Sequence, residues 1–283
     1  MKKFMAFFLF VCSCVVFASC ASPTEREIKK ASKNLSTYNM DIVYSDHTLE
    51  VEQSINYINA SDINMDKIYL HLYPKAFSEG AKNRAVSASY MQKAYPNGAS
   101  YGDISIETLT VAGKEIEPTY QGDDNDILTV ETNGLKPNDS LKLSVTYTVI
   151  IPNCNHRFGY GENAINIANF YPIVAVYDGE WNLDPYNTNG DPFYSDVANY
   201  SVRITAPNDL TIANTGKVKK STTSGDNTTY EITALAVRDF AFCLSDKFGV
   251  ATEKYQNVEV KYYYYDDVNF SQSLKTAVDS IKT

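Results

Sequence analysis

Residues 38–57, YNMDIVYSDHTLEVEQSINY, decide the fold class. Tyr38, Met40, Ile42 and Tyr44 alternate with polar residues, and the alternation resumes at Leu49. A period of two is typical of a strand with one buried face and one solvated face. This stretch therefore predicts strands at the start of the folded part of the chain.

The same period of two returns along the rest of the chain. The further predicted strands are 68–72, 104–111, 128–130, 141–149, 200–205, 210–212, 230–234, 239–244 and 258–264. The turn signals between them are Asn133-Gly134, Lys136-Pro137-Asn138-Asp139, Asn189-Gly190 and 224–227. About a dozen strands joined by short turns predict a mainly β chain, folded as an antiparallel sandwich or saddle.

The composition excludes two classes of protein. Lys and Arg number 25 and Asp and Glu number 34, so the formal net charge is −9. Because a polyanion binds through a basic patch that displaces its counterions, this balance argues against a nucleic-acid partner. The 44% of hydrophobic residues and 13% of aromatic residues suffice for a core and exclude general disorder.

The N-terminus has the pattern of an export signal. Lys2 and Lys3 precede an apolar run over 4–18, which is too short for a comfortable membrane span. The run ends Phe17-Ala18-Ser19-Cys20 and resembles the bacterial lipobox, with Phe17 where Leu is usual. We expect 1–19 to be a lipoprotein signal peptide and Cys20 to carry lipid; an ordinary cleaved signal with a chance cysteine is the alternative. The expected location is extracytoplasmic, anchored by lipid to the bacterial cell membrane.

The other parts of the chain differ in pattern. Residues 20–37 are polar and predict a tether with about one helical turn, and 38–266 form the β-rich domain. In 267–283, four apolar residues lie on one face of a short C-terminal helix: Phe270, Leu274, Val278 and Ile281. Because the chain supplies no later partner for this stripe, we expect it to stay exposed, as the opening of a second, helical domain of catalytic type.

Several motifs occur in the order found in a known family. They are Ile68-Tyr69-Leu70-His71-Leu72-Tyr73-Pro74, Leu135-Lys136-Pro137, Arg157-Phe158-Gly159, Asn169-Phe170-Tyr171-Pro172, Tyr177-Asp178, Trp181, Asp191-Pro192-Phe193-Tyr194, 200–207 and Val237-Arg238-Asp239-Phe240-Ala241. Together they resemble the N-terminal domain of the aminopeptidase N family, the M1 zinc metallopeptidases, in its bacterial lipoprotein branch. The resemblance runs from Tyr38 to the end. It implies a β-rich domain that packs beside a thermolysin-like zinc domain.

The zinc and substrate motifs of that family are missing. The family binds zinc through H-E-x-x-H, whereas this sequence has only His47, His71 and His156, without a pair at that spacing. Its G-x-M-E-N loop is also absent. Gly161-Glu162-Asn163 is similar in sequence, but it lies before the Tyr171-Pro172 region, whereas the family's loop belongs to the following domain. We therefore expect a loop that does not hold the substrate's amino terminus, as the family's loop does. We assign no catalytic or metal-binding residue and no cofactor to this chain; zinc is implied only for the catalytic domain.

Three smaller clusters have structural interpretations as well as chemical ones. The acidic run 123–126 is interpreted as a hairpin loop rather than a calcium loop, and 184–191 as a turn. Cys154 and His156 are interpreted as a structural pair rather than a nucleophile and its base. Cys154 and Cys243 either form a disulfide or are buried as small hydrophobes, and the second is favoured. Residues 262–265, four tyrosines, predict alternate core and surface positions.

Two hypotheses about function remain. In the first, the chain is the non-catalytic N-terminal domain of a membrane-anchored M1-like aminopeptidase, whose zinc domain is lost or separately encoded and whose substrates are peptides. By position relative to Pro172, the loop Gly161, Glu162, Asn163 is then the part nearest the substrate. In the second, the chain is a stand-alone cell-surface binding or adhesion lipoprotein.

Overall fold

The computed structural model describes residues 23–191 and 193–282. The predicted signal peptide 1–19 and the predicted lipid attachment at Cys20 lie outside the described residues. The helices are α1 (Pro23–Ala31), α2 (Met91–Ala94) and α3 (Phe270–Ser280), with a 3-10 turn at Tyr73–Phe77. The strands are β1 (Thr37–Ser45), β2 (Thr48–Ile58), β3 (Met65–His71), β4 (Asp103–Val111), β5 (Lys114–Ile116), β6 (Thr119–Gln121), β7 (Ile127–Leu135), β8 (Ser140–Ile150), β9 (Phe158–Tyr160), β10 (Ile165–Ile167), β11 (Ile173–Val174), β12 (Ala198–Pro207), β13 (Thr211–Asn214), β14 (Lys217–Ser224), β15 (Asn227–Val237), β16 (Phe242–Ser245), β17 (Gly249–Tyr255) and β18 (Val258–Tyr264).

A large sheet of eight strands forms the frame of the molecule. Its order is β14-β15-β12-β1-β2-β8-β4-β5, and its neighbours are antiparallel except for β1 and β12, which run parallel from the Thr37–Asn199 pair. Along β1 and β8 every second side chain is buried, as the period of two predicts. One face of the sheet therefore builds the core and the other meets solvent.

Two four-stranded sheets, β13-β16-β10-β9 and β11-β3-β7-β6, contribute to the same continuous core as the large sheet. Tyrosines join the layers by ring contacts and hydrogen bonds. Tyr38 of β1 stacks on Tyr200 of β12 with ring centroids 5.0 Å apart, and the Tyr171 hydroxyl donates to the Tyr200 oxygen over 3.1 Å. The backbone N–H of Phe240 donates to Tyr171 over 3.1 Å. The prediction of a mainly β, antiparallel fold with a short C-terminal helix is confirmed.

The last segment packs differently from the prediction. Strands β17 and β18 hydrogen-bond with each other in a separate two-stranded sheet, and α3 packs against them. Leu274 and Val278 are buried there, and the Phe270 ring stacks on Tyr264 at 4.7 Å. Ile281 is 42% exposed. The expectation of an unpartnered stripe is wrong for the first three residues, because the β17–β18 hairpin supplies an apolar surface directly before the helix.

Local details also differ. Asn133 and Gly134 do not form a turn between strands but lie inside β7 with positive φ angles, in a bulge opposite the Met65–Lys67 step. Tyr262, Tyr263 and Tyr264 are all half-buried and not alternately core and surface, because a two-stranded sheet has only one helix to cover it. The described part of the predicted tether contains the nine-residue α1, which is longer than one turn. Of the predicted strand 239–244, only its second half is extended, in β16.

Candidate functional site

The loop Gly161–Asn163 is the turn of a short hairpin between β9 and β10. Tyr160 pairs with Ile165, and the Gly161 N–H donates to the Ala164 carbonyl over 3.0 Å. Just before the loop, Gly159 has a φ of +152°, and a Cβ there would lie 2.2 Å from the Cys154 carbonyl oxygen. Only glycine fits so close to another backbone, so the sequence fixes the path of the chain into this turn.

Side chains from a distant part of the chain hold the loop. The Lys247 ammonium donates to the Glu162 carbonyl over 2.9 Å and to Asn163 Oδ1 over 3.0 Å. The Ser245 hydroxyl donates to the Asn163 carbonyl over 2.5 Å. The Glu162 carboxylate itself stays 90% exposed, 4.0 Å from Lys247. The loop thus presents a solvated carboxylate on a fixed backbone.

A polar cleft of about 840 Å³ lies between the segments 82–88 and 182–194. Tyr186 lines it and belongs to an aromatic cluster with Phe193, at 5.5 Å, and Tyr73, at 6.5 Å. The Arg157 guanidinium lies over the Phe193 ring at 4.7 Å and 3.5 Å from the Asp191 carboxylate. The walls of this cleft come from these two segments, and not from the loop 161–163.

His71 anchors one wall of the cleft. It is buried, its ring stacks on Tyr73 at 4.8 Å, and its Nε2 lies 3.0 Å from the Asn182 carbonyl oxygen. Because a carbonyl only accepts, Nε2 carries the proton. Burial lowers the pKa of His71, although the bond to Asn182 and the charge of Asp184 oppose the shift. His71 is therefore neutral at pH 7 and positions the segment that begins at Asn182.

The other two histidines also lie in structural surroundings. The His47 ring stacks on Tyr160 with centroids 3.6 Å apart, and burial lowers its pKa. His156 contacts the Phe77 ring edge-on at 5.6 Å, and burial together with the Arg157 charge lowers its pKa. Within the described residues, His156 Nδ1 is buried without a hydrogen-bond partner. No group of three His, Cys, Asp or Glu side chains in the described part of the chain has the geometry to hold a metal ion.

Both remaining cysteines are free thiols, so no disulfide joins Cys154 to Cys243. Cys154 is buried and Cys243 half-buried, which agrees with the favoured interpretation. Burial raises the pKa of Cys154 to about 11, and its hydrogen bond with Tyr95 offsets this only in part. Since the thiolate is the nucleophile, the raised pKa makes Cys154 a poor nucleophile at neutral pH. It lies with His156 in a loop rather than on a strand.

The two acidic stretches form turns. Asp124 accepts hydrogen bonds from the backbone N–H groups of Lys82 and Asn83, over 2.6 and 2.8 Å, and from the Asn83 side chain. Partial burial acts to raise the pKa of Asp124, but these bonds hold it below its usual value. The run 123–126 connects β6 to β7 as the predicted hairpin loop. In the second stretch, Asn187 Oδ1 accepts from the Asn189 N–H, as in an Asx turn.

Of the other predicted clusters within the described residues, the structure brings only the segment of Cys154 close to the hairpin that carries the candidate loop. Cys20 lies outside the described residues, and the acidic loop 123–126 contacts the segment 82–83, not 161–163. Sequence reasoning missed Lys247 and Ser245, which fix the loop. They lie more than 80 residues further along the chain, and no motif marks them.

Comparison with solved structures identifies the fold of the chain. No family model and no curated protein matches the chain. It is similar to a variant of a two-domain M1 zinc metallopeptidase bound to L-tryptophan, with 12% identity over 85% of this chain and 51% of that chain and a TM-score of 0.51. The M1 zinc metallopeptidase from Deinococcus radiodurans matches at 12% identity over 82% of this chain and 48% of that chain, with a TM-score of 0.48. The chain therefore has an M1-peptidase-like fold and spans about half the length of the solved structures it matches.

Proposed function

We propose that this chain is the N-terminal, non-catalytic domain of a lipid-anchored M1-like zinc aminopeptidase. The fold match to the two-domain M1 metallopeptidase, at a TM-score of 0.51, is the observation that carries the proposal. A zinc domain, on a longer form of this chain or on a separate one, supplies the hydrolysis of peptides in this proposal. The domain described here supports the zinc domain and shapes one wall of its cleft.

The histidines of the described residues are not arranged as a metal site. The three histidines lie in separate surroundings, with His71 bonded to a backbone carbonyl and His47 stacked on a tyrosine. No described group of three ligating side chains fits a metal ion. The residues present do not fit a zinc site, so no step of hydrolysis is assigned to them.

In this proposal the loop Gly161–Asn163 is the part of the chain nearest the substrate. Lys247 and Ser245 hold its backbone, while the Glu162 carboxylate remains exposed. An exposed carboxylate at the edge of the zinc domain's cleft contributes a negative potential that attracts cationic substrates, without holding the substrate's amino terminus as the family's G-x-M-E-N loop does. A Glu162→Gln variant removes the charge and keeps the size, and Glu180→Gln, in another exposed loop, is the matched control.

An activity assay tests the proposal. The purified chain is given zinc and a series of amino-acid p-nitroanilides, and bound zinc is counted by mass spectrometry after dialysis. We expect neither turnover nor stoichiometric zinc. Turnover that a chelator abolishes and zinc restores would contradict the non-catalytic role.

The DNA directly downstream of the codon for Thr283 separates the two classes of function. A frame that encodes G-x-M-E-N and H-E-x-x-H supports the peptidase proposal. With that zinc domain present, Glu162→Gln is then expected to raise KM more than it lowers kcat, and Glu180→Gln to leave both unchanged. An unrelated gene favours the stand-alone surface-binding lipoprotein, and the zinc assay above then decides whether the chain itself is non-catalytic.

A further inference from the structure

A groove of about 990 Å³ lies at one edge of the molecule, between α1, β14 and the β17–β18 hairpin. Glu25 of α1, Lys217 of β14, and Lys254 and Lys261 of the hairpin line it. The segment after α1 is fixed to the large sheet, because the Asn199 side chain donates to the Ser32 carbonyl over 2.9 Å. Helix, edge strand and hairpin thus share one side of the protein.

This side is basic in an acidic chain. The elements α1 and β14, with the segment directly after α1, carry seven basic residues, and α1 and β14 carry two acids, Glu25 and Glu27. We call these seven residues the basic face: Arg26, Lys29, Lys30, Lys33, Lys217, Lys219 and Lys220. Lys220 lies 3.7 Å from Glu231 of the neighbouring strand, so part of its charge is offset. In the hairpin, Glu259 lies within 4 Å of both Lys254 and Lys261 and neutralises part of their charge. The excess of positive charge therefore rests on α1 and β14, while the whole chain has a net charge of −9.

The basic face lies next to the predicted lipid anchor. Only residues 21 and 22 separate Cys20 from Pro23, the first residue of α1. Because consecutive Cα atoms are 3.8 Å apart, the start of α1 lies at most about 11 Å from the Cα of Cys20. An anchor so close to a folded helix brings the surface around that helix to the lipid headgroups.

We propose that the basic face is the membrane-facing surface of the protein and that its lysines bind anionic lipid headgroups. The orientation toward the membrane rests on the lipid anchor of the proposed function, whereas the positive charge of the basic face does not depend on that anchor. Acyl chains hold the protein at the bilayer, and the lysines set its orientation. Each lysine close to an anionic surface strengthens binding about fivefold, and the attraction falls off within a Debye length.

Vesicle binding tests whether the basic face binds anionic lipid headgroups. The chain from residue 20 onward with Cys20→Ser, which contains all the described residues, is sedimented with vesicles of phosphatidylcholine alone and with vesicles that contain 30% phosphatidylglycerol. We expect binding to the second only, and at least a tenfold loss in a Lys217→Gln, Lys219→Gln, Lys220→Gln variant. The matched control is Lys114→Gln, Lys136→Gln, Lys142→Gln, three exposed lysines away from this edge. Lys114 lies in β5, seven strand spacings or about 34 Å across the sheet from β14.

Footprinting of the full chain tests the orientation without a variant. The acylated protein in vesicles with phosphatidylglycerol is treated with a water-soluble amine reagent, and labelling of each lysine is compared with that in detergent. We expect protection of Lys217 and Lys219 and unchanged labelling of Lys114 and Lys136. Equal binding to both vesicle types, an equal loss in the control triple variant, or uniform labelling would overturn the proposal. If Cys20 carries no lipid by mass spectrometry, the anchor of the proposed function fails, while the sedimentation result still decides the basic face.

Discussion

Two regions of the molecule are held together in different ways. The body, residues 37–248, is built by strands from distant parts of the chain, as where Thr37 pairs with Asn199. The hairpin–helix unit, residues 249–282, is built by three elements that follow one another, and its buried apolar residues are Leu274 and Val278. Long-range pairing makes the body one cooperative unit, whereas an isolated two-stranded hairpin is marginally stable at best. The comparison indicates that the unit opens without the body.

The largest expected effect comes from the same substitution made in both regions. Leu143→Ala in β8 empties a site that is fully buried between strands, so we expect the free energy of unfolding of the body to fall by about 2–5 kcal/mol. Leu274→Ala in α3 deletes the same atoms but should leave the body's urea midpoint almost unchanged. Tyrosine fluorescence and circular dichroism during urea unfolding measure both. An equal loss of stability in the two variants would remove the distinction between the regions.

A smaller effect is expected at the buried amide of Gln53. Its Nε2 donates to the Pro172 carbonyl over 2.8 Å, and its Oε1 accepts from the Tyr147 hydroxyl over 2.6 Å. Gln53→Ala leaves both partners unsatisfied in the core, so we expect a loss of about 1–3 kcal/mol. Tyr147→Phe combined with Gln53→Ala should cost less than the sum of the two single changes. Additive costs in this double-mutant cycle would show that the hydrogen bond between Gln53 and Tyr147 does not stabilise the body.

The pH dependence of the body should depend on His71. Its pKa is lowered in the folded state, so the unfolded state binds the proton more tightly and stability falls as pH drops through about 6.5. Above that pH the contribution of His71 is constant. Urea midpoints between about pH 5 and pH 7.5 measure the slope, which we expect to be smaller in a His71→Gln variant. His47→Gln, at a more exposed histidine, is the control and should change the slope less.

The smallest effect on the body is expected from removal of the C-terminal helix. Deletion of 268–283 takes away Leu274 and Val278 and leaves the β17–β18 hairpin without cover. We expect the hairpin to lose its ordered pairing and the melting temperature of the body to change by no more than about 2 °C. A fall of several degrees would mean that α3 is an integral part of the body.

The sequence predicted elements in both regions, including β18 and α3 of the unit, but not the packing of α3 against the hairpin. The alternation in 38–57 and 141–149 depends only on which face is buried, and β1, β2 and β8 lie at those places. The short strands β9, β10 and β11 were missed, because two or three residues carry no readable period. The parallel pairing of β1 with β12 depends on tertiary contacts that local pattern does not encode.

The sequence predicted where the candidate loop lies along the chain, but not which residues hold it in place. Gly161, Glu162 and Asn163 were selected by their position along the sequence relative to Pro172. Lys247 holds the loop through space, by bonds to one carbonyl and one amide oxygen. A lone lysine near the end of a strand has no sequence pattern that distinguishes it from a solvated one.

Amide hydrogen exchange of the whole chain tests most directly whether the body and the hairpin–helix unit are separate cooperative regions. Mass spectrometry of peptic fragments follows exchange at neutral pH with increasing, sub-denaturing urea. We predict that the amides of β1, β2, β8 and β12 exchange only through global unfolding, with a strong dependence on urea. The amides of β17, β18 and α3 should exchange earlier, together, and with a weak dependence on urea. A single exchange free energy shared by both regions would contradict this account.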